Sequence, residues 1–161
     1  GSELPVTVGV LVILAFLMFI RDNRTALLAV HGIMIVGTAM VGVSTLLFSM
    51  GLIGPTAWMI LIGLGLYAAY VPFGCILFDR LIATVNAVGT AGFLIYVTDA
   101  FGYLGSVGLM IYKDVGSPEL SWLEFFKVAS YATSIFCSIL YVVSLFYFWR
   151  LRPSTENSPS V

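Results

Sequence analysis

The chain has 161 residues, of which 60% are hydrophobic and only 9% are charged, and its formal net charge is −1. A water-soluble domain of this length needs more charge on its surface, and a nucleic-acid-binding protein needs a basic patch, which this sequence lacks. The mean hydropathy of +1.07 indicates an all-α membrane protein. A membrane β-barrel is not expected, because the apolar runs are long and show no alternation.

Five apolar runs predict a polytopic bundle of five transmembrane helices. In chain order, they cover about residues 6–20, 25–50, 56–78, 85–112 and 123–149. The first run is the shortest, whereas the other four exceed the length needed to cross a ~30 Å hydrocarbon core and should tilt. The transmembrane domain then covers residues 1–152, and the polar stretch 153–161 is predicted to be a disordered cytoplasmic tail.

The start of the chain suggests a fragment. The first span follows almost directly after Gly1, with no initiator Met and no positively charged stretch before it. A secretory signal is therefore not expected. We interpret the chain as the C-terminal part of a longer protein, whose N-terminal helices would be its partners together with the lipid bilayer.

The basic residues separate to two sides of the predicted bundle. If the spans alternate in direction, five arginines fall on one side and two lysines on the other. Short cytoplasmic loops carry such an excess of basic residues, so we expect the N-terminus outside and the C-terminus in the cytoplasm. The expected cytoplasmic loop charges are Arg21, Asp22, Arg24, Asp79 and Arg80, with Arg150 and Arg152 at the last span and Lys113 and Lys127 on the opposite side.

Polar residues in the second and third spans have two interpretations each. His31, less than two turns inside the second span, is interpreted as an interfacial or hydrogen-bonded histidine, with a proton relay as the alternative. Tyr67 and Tyr70 in the third span can hydrogen-bond a substrate or simply pack between helices. Pro72 leaves the carbonyl of Ala68 without its usual partner, which predicts a kink at that level.

Asp99 is the most conspicuous residue of the fourth span. A charge at a bilayer centre costs roughly 2.5–3.5 kcal/mol, so such a residue usually has a partner or a function. Helical spacing places Tyr96 and Tyr103 near its face, and no Lys or Arg is expected at its depth. Gly102 and Gly105 in the same span predict close helix packing, with a hinge as the alternative.

The polar residues of the fifth span and the two cysteines are interpreted as packing residues. On the fifth span one polar stripe is expected to face protein; its members are Glu124, Lys127, Tyr131, Ser134, Ser138 and Tyr141. Cys75 and Cys137 lie alone in separate apolar runs and are interpreted as packing residues. We predict no metal site and no cofactor.

Several stretches resemble the major facilitator superfamily. The loop Arg21-Asp-Asn-Arg24 is similar to its short charged loops, although the family's loop glycines are absent, and ordinary membrane anchors explain the same charges. Residues 63–74 and 89–105 are similar to its tenth and eleventh helices. The resemblance implies a partial major-facilitator-type fold, about helices eight to twelve of twelve. Asp79-Arg80 and residues 99–106 further resemble an uncharacterised bacterial branch of unknown function, which implies the bacterial inner membrane.

These observations predict part of a secondary active transporter that moves a small solute, with proton or cation coupling through Asp99. One alternative is a membrane scaffold or interaction subunit. A second is a membrane-embedded enzyme that would use Asp99 with His31. We do not expect an enzyme, because neither Gly-x-Ser-x-Gly nor His-Glu-x-x-His occurs and no catalytic residue stands out.

Overall fold

The computed structural model describes residues 3–85, 90–116 and 119–150, and every regular element in these ranges is helical. The prediction of an all-α bundle is therefore confirmed. The elements are α1 (Glu3–Met18), α2 (Asn23–Ser49), α3 (Pro55–Pro72), a π-helical turn (Phe73–Leu77), α4 (Phe78–Val85), α5 (Ala91–Ile111), a second π-helical turn (Tyr112–Gly116) and α6 (Trp122–Arg150).

Within the described ranges, four helical stretches are long and apolar enough to cross a membrane. They are Asn23–Ser49, Pro55–Thr84, Ala91–Gly116 and Trp122–Arg150, and they correspond to the predicted second to fifth spans. The first predicted span forms α1, whose 16 residues extend only ~24 Å at ~1.5 Å per residue. That length falls short of a ~30 Å hydrocarbon core. The fold is thus that of a membrane-embedded bundle with one shorter apolar helix.

The third span runs further than the sequence predicts. Its expected end lay before Asp79 and Arg80, but the helix continues through the first π-helical turn to Val85. Leu77 and Phe78 are buried, Asp79 is exposed and Arg80 is half-buried, so the helix continues past the apolar run while one side of it still packs. The prediction that Asp79 and Arg80 lie in a loop is therefore wrong.

Arg24 is likewise not in a loop, since it lies in the first turn of α2. Only Arg21 and Asp22 of the five expected loop charges lie in a connection between helices. Pro72 lacks an N–H group, and the π-helical turn follows it directly, so the backbone is irregular at the predicted position.

Helix α2 is the centre of the bundle and packs against both α3 and α6. Its contact with α3 is made backbone to backbone at Gly37 and Gly65. A Cβ atom placed on either glycine would lie only 2.6 Å from the carbonyl oxygen of the other. The connection between the two helices turns at Gly51, which has a φ of 73°, a left-handed conformation that favours glycine at the end of a helix.

Hydrogen bonds join α2 to α6 along most of their length. The Ser134 hydroxyl donates to the Thr38 carbonyl at 2.7 Å, and the Ser138 and Thr38 hydroxyls lie 2.9 Å apart. Near the ends, Ser49 pairs with Tyr131 and His31 pairs with Ser144. We call these four contacts the α2–α6 ladder. The prediction that the polar stripe of the fifth span faces protein is confirmed at Tyr131, Ser134 and Ser138.

Helix α5 is attached to the rest of the bundle much more loosely. It has no buried residue in the described structure, and its packing partners are α4 and the second π-helical turn. A Cβ atom on Gly102 or Gly105 would meet no atom within 4 Å. The close helix packing predicted at these glycines is therefore not formed within the described chain. Small residues permit close approach, but they do not supply the neighbouring helix.

Apart from Asp99, the charged residues of the described helices lie towards two opposite ends of the bundle. Arg24 Nη2 donates to the carbonyl of Trp149 at 2.7 Å, and Arg80 donates to the side-chain oxygen of Asn23. These bonds bring α2, α4 and α6 together at what we call the arginine end, which holds Arg21, Arg24, Arg80 and Arg150. Lys113 stands over the ring of Trp122 at the other end, the lysine end, 5.1 Å from the ring centroid.

Three predicted features fall outside the described residues. They are the start of the fourth span at residues 86–89, Arg152 and the tail 153–161.

Candidate functional site

A cleft of about 450 Å³ lies between α5 and the packed helices α2, α3 and α6. We call it the Asp99 cleft. Its volume falls within the range of about 300–1,000 Å³ that is typical of small-molecule sites. The polar side chains that line it include Thr38, Tyr70, Asp99, Tyr103, Thr133 and Tyr141. Four different helices therefore contribute polar groups to one space near the middle of the bundle.

Asp99 is held by a hydrogen bond from another helix. The Tyr70 hydroxyl on α3 donates to Asp99 Oδ1 on α5 at 3.2 Å. Of the residues that line the cleft in the described ranges, none is Lys, Arg or His. The carboxyl group therefore has a neutral partner and no counter-ion, and it keeps further lone pairs for a ligand or a proton.

Most smaller hydroxyl groups of the cleft use their protons on the backbone. Each donates to a carbonyl one turn earlier in its own helix, as Ser and Thr commonly do in membrane helices. The three bonds are Thr38 to Met34, Thr98 to Leu94 and Ser106 to Gly102, all at 3.0 Å. These hydroxyls therefore present mainly acceptor lone pairs to the cleft.

The structure brings together some of the predicted path residues and separates others. Asp99, Tyr70 and Tyr103 line the same cleft. Tyr96 does not line it and is 78% exposed. Tyr67 lines a different groove, between α1 and α3, where Val10 and Met59 are neighbours. The predicted tyrosine set therefore divides into two that face Asp99 and two that do not.

The cleft residues that were not predicted as site residues include Thr38, Thr133 and Tyr141. Tyr141 belongs to the polar stripe of the fifth span, so its direction towards protein was predictable although its neighbours were not. Thr38 and Thr133 are ordinary small hydroxyl residues within apolar spans. No sequence signal separates them from the others.

His31 is a buried, hydrogen-bonded residue of the α2–α6 ladder. It is only 2% exposed, and its Nδ1 lies 2.8 Å from the Leu27 carbonyl, which can only accept. Nδ1 therefore carries the proton of the neutral ring, and Nε2 accepts from the Ser144 hydroxyl at 2.8 Å. His31 does not line the Asp99 cleft, so the residues that a membrane-embedded enzyme would pair are not assembled there.

At the arginine end, Asp22 acts as the N-cap of α2. Its Oδ2 accepts from the backbone N–H of Thr25 at 2.7 Å. Hydrogen bonding by Thr25, through its side chain and then its backbone, lowers the pKa of Asp22, and the nearby charges of Arg24 and Arg80 lower it further. The ionised carboxylate thus stabilises the start of α2. This geometry explains Asp22 as a helix cap.

No three His, Cys, Asp or Glu side chains come close enough to hold a metal ion in the described parts of the chain. Cys75 is a free, exposed thiol, and Cys137 is a free thiol at the wall of the Asp99 cleft.

Comparison with known proteins identifies a family but no characterised relative. Residues 1–151 match the model of a family described as "Family of unknown function (DUF5690)". No match was found among curated proteins or among solved structures. Since the family model matches nearly the whole sequence, the chain belongs to this family of unknown function, DUF5690.

Proposed function

We propose that this protein is part of a secondary active transporter of the major facilitator type and that a small solute binds in the Asp99 cleft. The observation that carries the proposal is the hydrogen bond from Tyr70 to Asp99, made between two helices at the wall of a cleft whose described residues include no cationic side chain. An ionisable residue inside a membrane span usually marks a substrate or ion pathway.

The depth of the pair supports the proposal. Tyr70 lies near the middle of the continuous helical stretch Pro55–Thr84, and Asp99 lies near the middle of α5. Secondary transporters bind their substrates near the bilayer midplane, often beside interrupted helices. The π-helical turn after Pro72 begins about one turn after Tyr70 and makes this otherwise continuous helix irregular at the level of the pair.

The loose attachment of α5 also supports transport. This helix carries Asp99, yet none of its residues is buried. A helix with few packed side chains can move at little cost in free energy. Movement of α5 would open or close the Asp99 cleft while the α2–α3–α6 core stays intact.

The same exposed helix favours a second candidate function. An interaction subunit would use α5 to contact other membrane helices, and the exposed Gly102 and Gly105 would permit a close approach. In that case the Tyr70–Asp99 bond would serve only to hold α5 in place. The two candidates differ in whether Asp99 affects solute movement.

The distribution of charge supports an orientation. The arginine end should face the cytoplasm, because short cytoplasmic connections carry an excess of basic residues. The arginines of that end are joined by direct contacts to three helices. Together with the resemblance to bacterial facilitators, this supports a location in the bacterial inner membrane with a cytoplasmic C-terminus.

The test is solute-driven proton flux in liposomes. The full-length protein is reconstituted with a pH-sensitive dye inside, and a library of small solutes is added outside. We expect at least one solute to change the internal pH, and we expect Asp99→Asn to abolish that change. Tyr70→Phe should reduce it, because the donor to Asp99 is lost.

Tyr67→Phe is the matched control, since Tyr67 lies on the same helix but lines the α1–α3 groove. It should behave like the unmodified protein. If no solute produces a flux that depends on Asp99 in folded protein, the transporter proposal is wrong and the interaction-subunit candidate is favoured.

A further inference from the structure

We infer that the Asp99 cleft selects an organic monocation, with an amine or quaternary ammonium group held by Asp99 and surrounded by aromatic rings. This inference rests on the proposed function and specifies its substrate class. Three properties of the cleft carry it: its charge, the chemistry of its walls and its volume.

The charge of the cleft comes from Asp99 alone among the lining residues of the described chain. The Tyr70 hydroxyl donates one hydrogen bond to Oδ1 but carries no positive charge. A carboxylate in an apolar bundle is costly unless a cation or a proton compensates it. An anionic solute would increase that cost, and a neutral solute would leave it unchanged. A monocation removes it.

The walls of the cleft are suited to a cation as well. Four aromatic rings line it, from Tyr70 and Phe73 on the third span, Tyr103 on α5 and Tyr141 on α6. The faces of aromatic rings attract cations, and such rings form the usual recognition sites for quaternary ammonium groups. Three helices therefore supply aromatic surface around one carboxyl group.

Three of the smaller hydroxyl groups in the cleft offer acceptors to a ligand. Thr38, Thr98 and Ser106 each donate their proton to their own helix backbone. Their free lone pairs can accept from an ammonium N–H group but cannot bind an anion. A phosphate or carboxylate ligand would have to find its donors elsewhere in the cleft, beside the negative charge of Asp99.

The volume favours an organic cation over a bare metal ion. The cleft measures about 450 Å³, enough for a cation with several carbon substituents. In the described ranges no cluster of three metal-ligating side chains exists. A metal ion would thus find one carboxylate in a wide, largely aromatic space.

The first experiment compares a cation with its neutral analogue of equal shape. Choline and 3,3-dimethyl-1-butanol differ only in the charged nitrogen. Tetraethylammonium serves as a larger cation, and 3,3-dimethylbutyrate serves as an anion. Each probe is titrated calorimetrically into the full-length protein in nanodiscs. We expect at least one of the two cations to bind at least tenfold more tightly than the neutral and anionic probes.

The second experiment assigns binding to the cleft. Asp99→Asn keeps the shape of the side chain and removes its charge, so cation affinity should fall at least tenfold. Tyr103→Leu should weaken binding by about threefold to thirtyfold, the range expected for one cation–π contact. Tyr103→Phe keeps the ring and should lose less than Tyr103→Leu. Tyr96→Leu is the control on the same helix, because Tyr96 does not line the cleft.

The outcomes separate the inference from the proposed function. If neither cation binds in preference to the neutral probe, or if Asp99→Asn binds the cation as tightly, the inference is wrong. Asp99-dependent flux of a neutral solute would then leave the transporter proposal standing. Conversely, Asp99-dependent cation binding without any flux in liposomes would support the inference and contradict transport. Each variant is first shown to be folded by its thermal transition, so lost binding is not confused with unfolding.

Discussion

Glycines in this protein have opposite environments that their residue type does not reveal. Gly37 and Gly65 bring the backbones of α2 and α3 into contact, whereas Gly102 and Gly105 face open space on α5. In lipid, helix association depends on such close packing, because apolar burial gives no added drive. The first pair therefore contributes to the stability of the bundle, and the second pair does not within the described chain.

Substitution of one glycine from each pair by alanine, which adds a methyl group, distinguishes the two environments. Gly37→Ala should lower the free energy of unfolding by about 1–3 kcal/mol, the usual cost of overpacking, because its Cβ would lie 2.6 Å from the Gly65 carbonyl oxygen. Gly105→Ala should be neutral or stabilising by up to about 1 kcal/mol, since alanine has the higher helix propensity. Unfolding in mixed detergent micelles measures both. Equal stability of the two variants would contradict the close α2–α3 contact.

Only part of the candidate site was predictable from the sequence. Asp99 stood out because a carboxylate in an apolar run is costly. Tyr70 and Tyr67 were equivalent candidates, since both lie in the middle of one apolar span. Only the rotation of α3 relative to α5 decides that Tyr70 reaches Asp99 while Tyr67 faces α1. That rotation is set by packing between helices, and the periodicity of a single helix carries no information about it.

At the scale of elements, the α2–α6 ladder explains why these two helices pack side by side. Its bonds run in antiparallel order, from His31–Ser144 through Thr38–Ser138 to Ser49–Tyr131. Individual bonds between membrane helices contribute about 0.6 kcal/mol on average. The ladder therefore fixes the register of the two helices through several small contributions.

The most sensitive position of the ladder is Ser144. Ser144→Ala removes the donor to His31 Nε2 and leaves a buried nitrogen without a partner. We expect a loss of about 1–3 kcal/mol in the free energy of unfolding, the cost of an unsatisfied buried polar group. Ser106→Ala is the control, because its hydroxyl bonds only to its own helix. A double-mutant cycle with His31→Leu should show coupling, and additive effects would contradict the bond.

The predicted spans locate the helices well but place some of their ends wrongly. The second and fifth spans match α2 and α6 to within two residues at each end. The third fails at Asp79, because charged residues can continue a helix when its other face remains buried. A hydropathy boundary marks where the apolar environment ends, and the helix itself can extend beyond it.

At the scale of the whole molecule, the bundle is built around α2 and faces outward with apolar side chains. Large hydrophobic residues are exposed on all the longer helices, among them Val43, Met59, Leu104 and Phe136. Such a surface is compatible with lipid and incompatible with water. Apart from Asp99, the charged side chains of the described helices lie towards the arginine and lysine ends. The surface is thus apolar along the helices and charged at the two ends, as a bilayer requires.

The proposed orientation follows from these two ends and is independent of α1. Even if the short α1 does not span, the connections at 50–54 and around Ser121 stay at the lysine end, and Arg21 and Arg150 stay at the arginine end.

Single cysteines at these positions, in a chain with Cys75→Ser and Cys137→Ala, test the arrangement with a membrane-impermeant maleimide. Cysteines replacing Leu52 and Ser121, both exposed, should react in intact cells. Cysteines replacing Arg21 and Arg150 should react only after permeabilisation, because the excess of arginine keeps that end in the cytoplasm. Labelling of Arg21→Cys in intact cells would reverse the orientation, and labelling of both ends from one side would contradict the alternating spans.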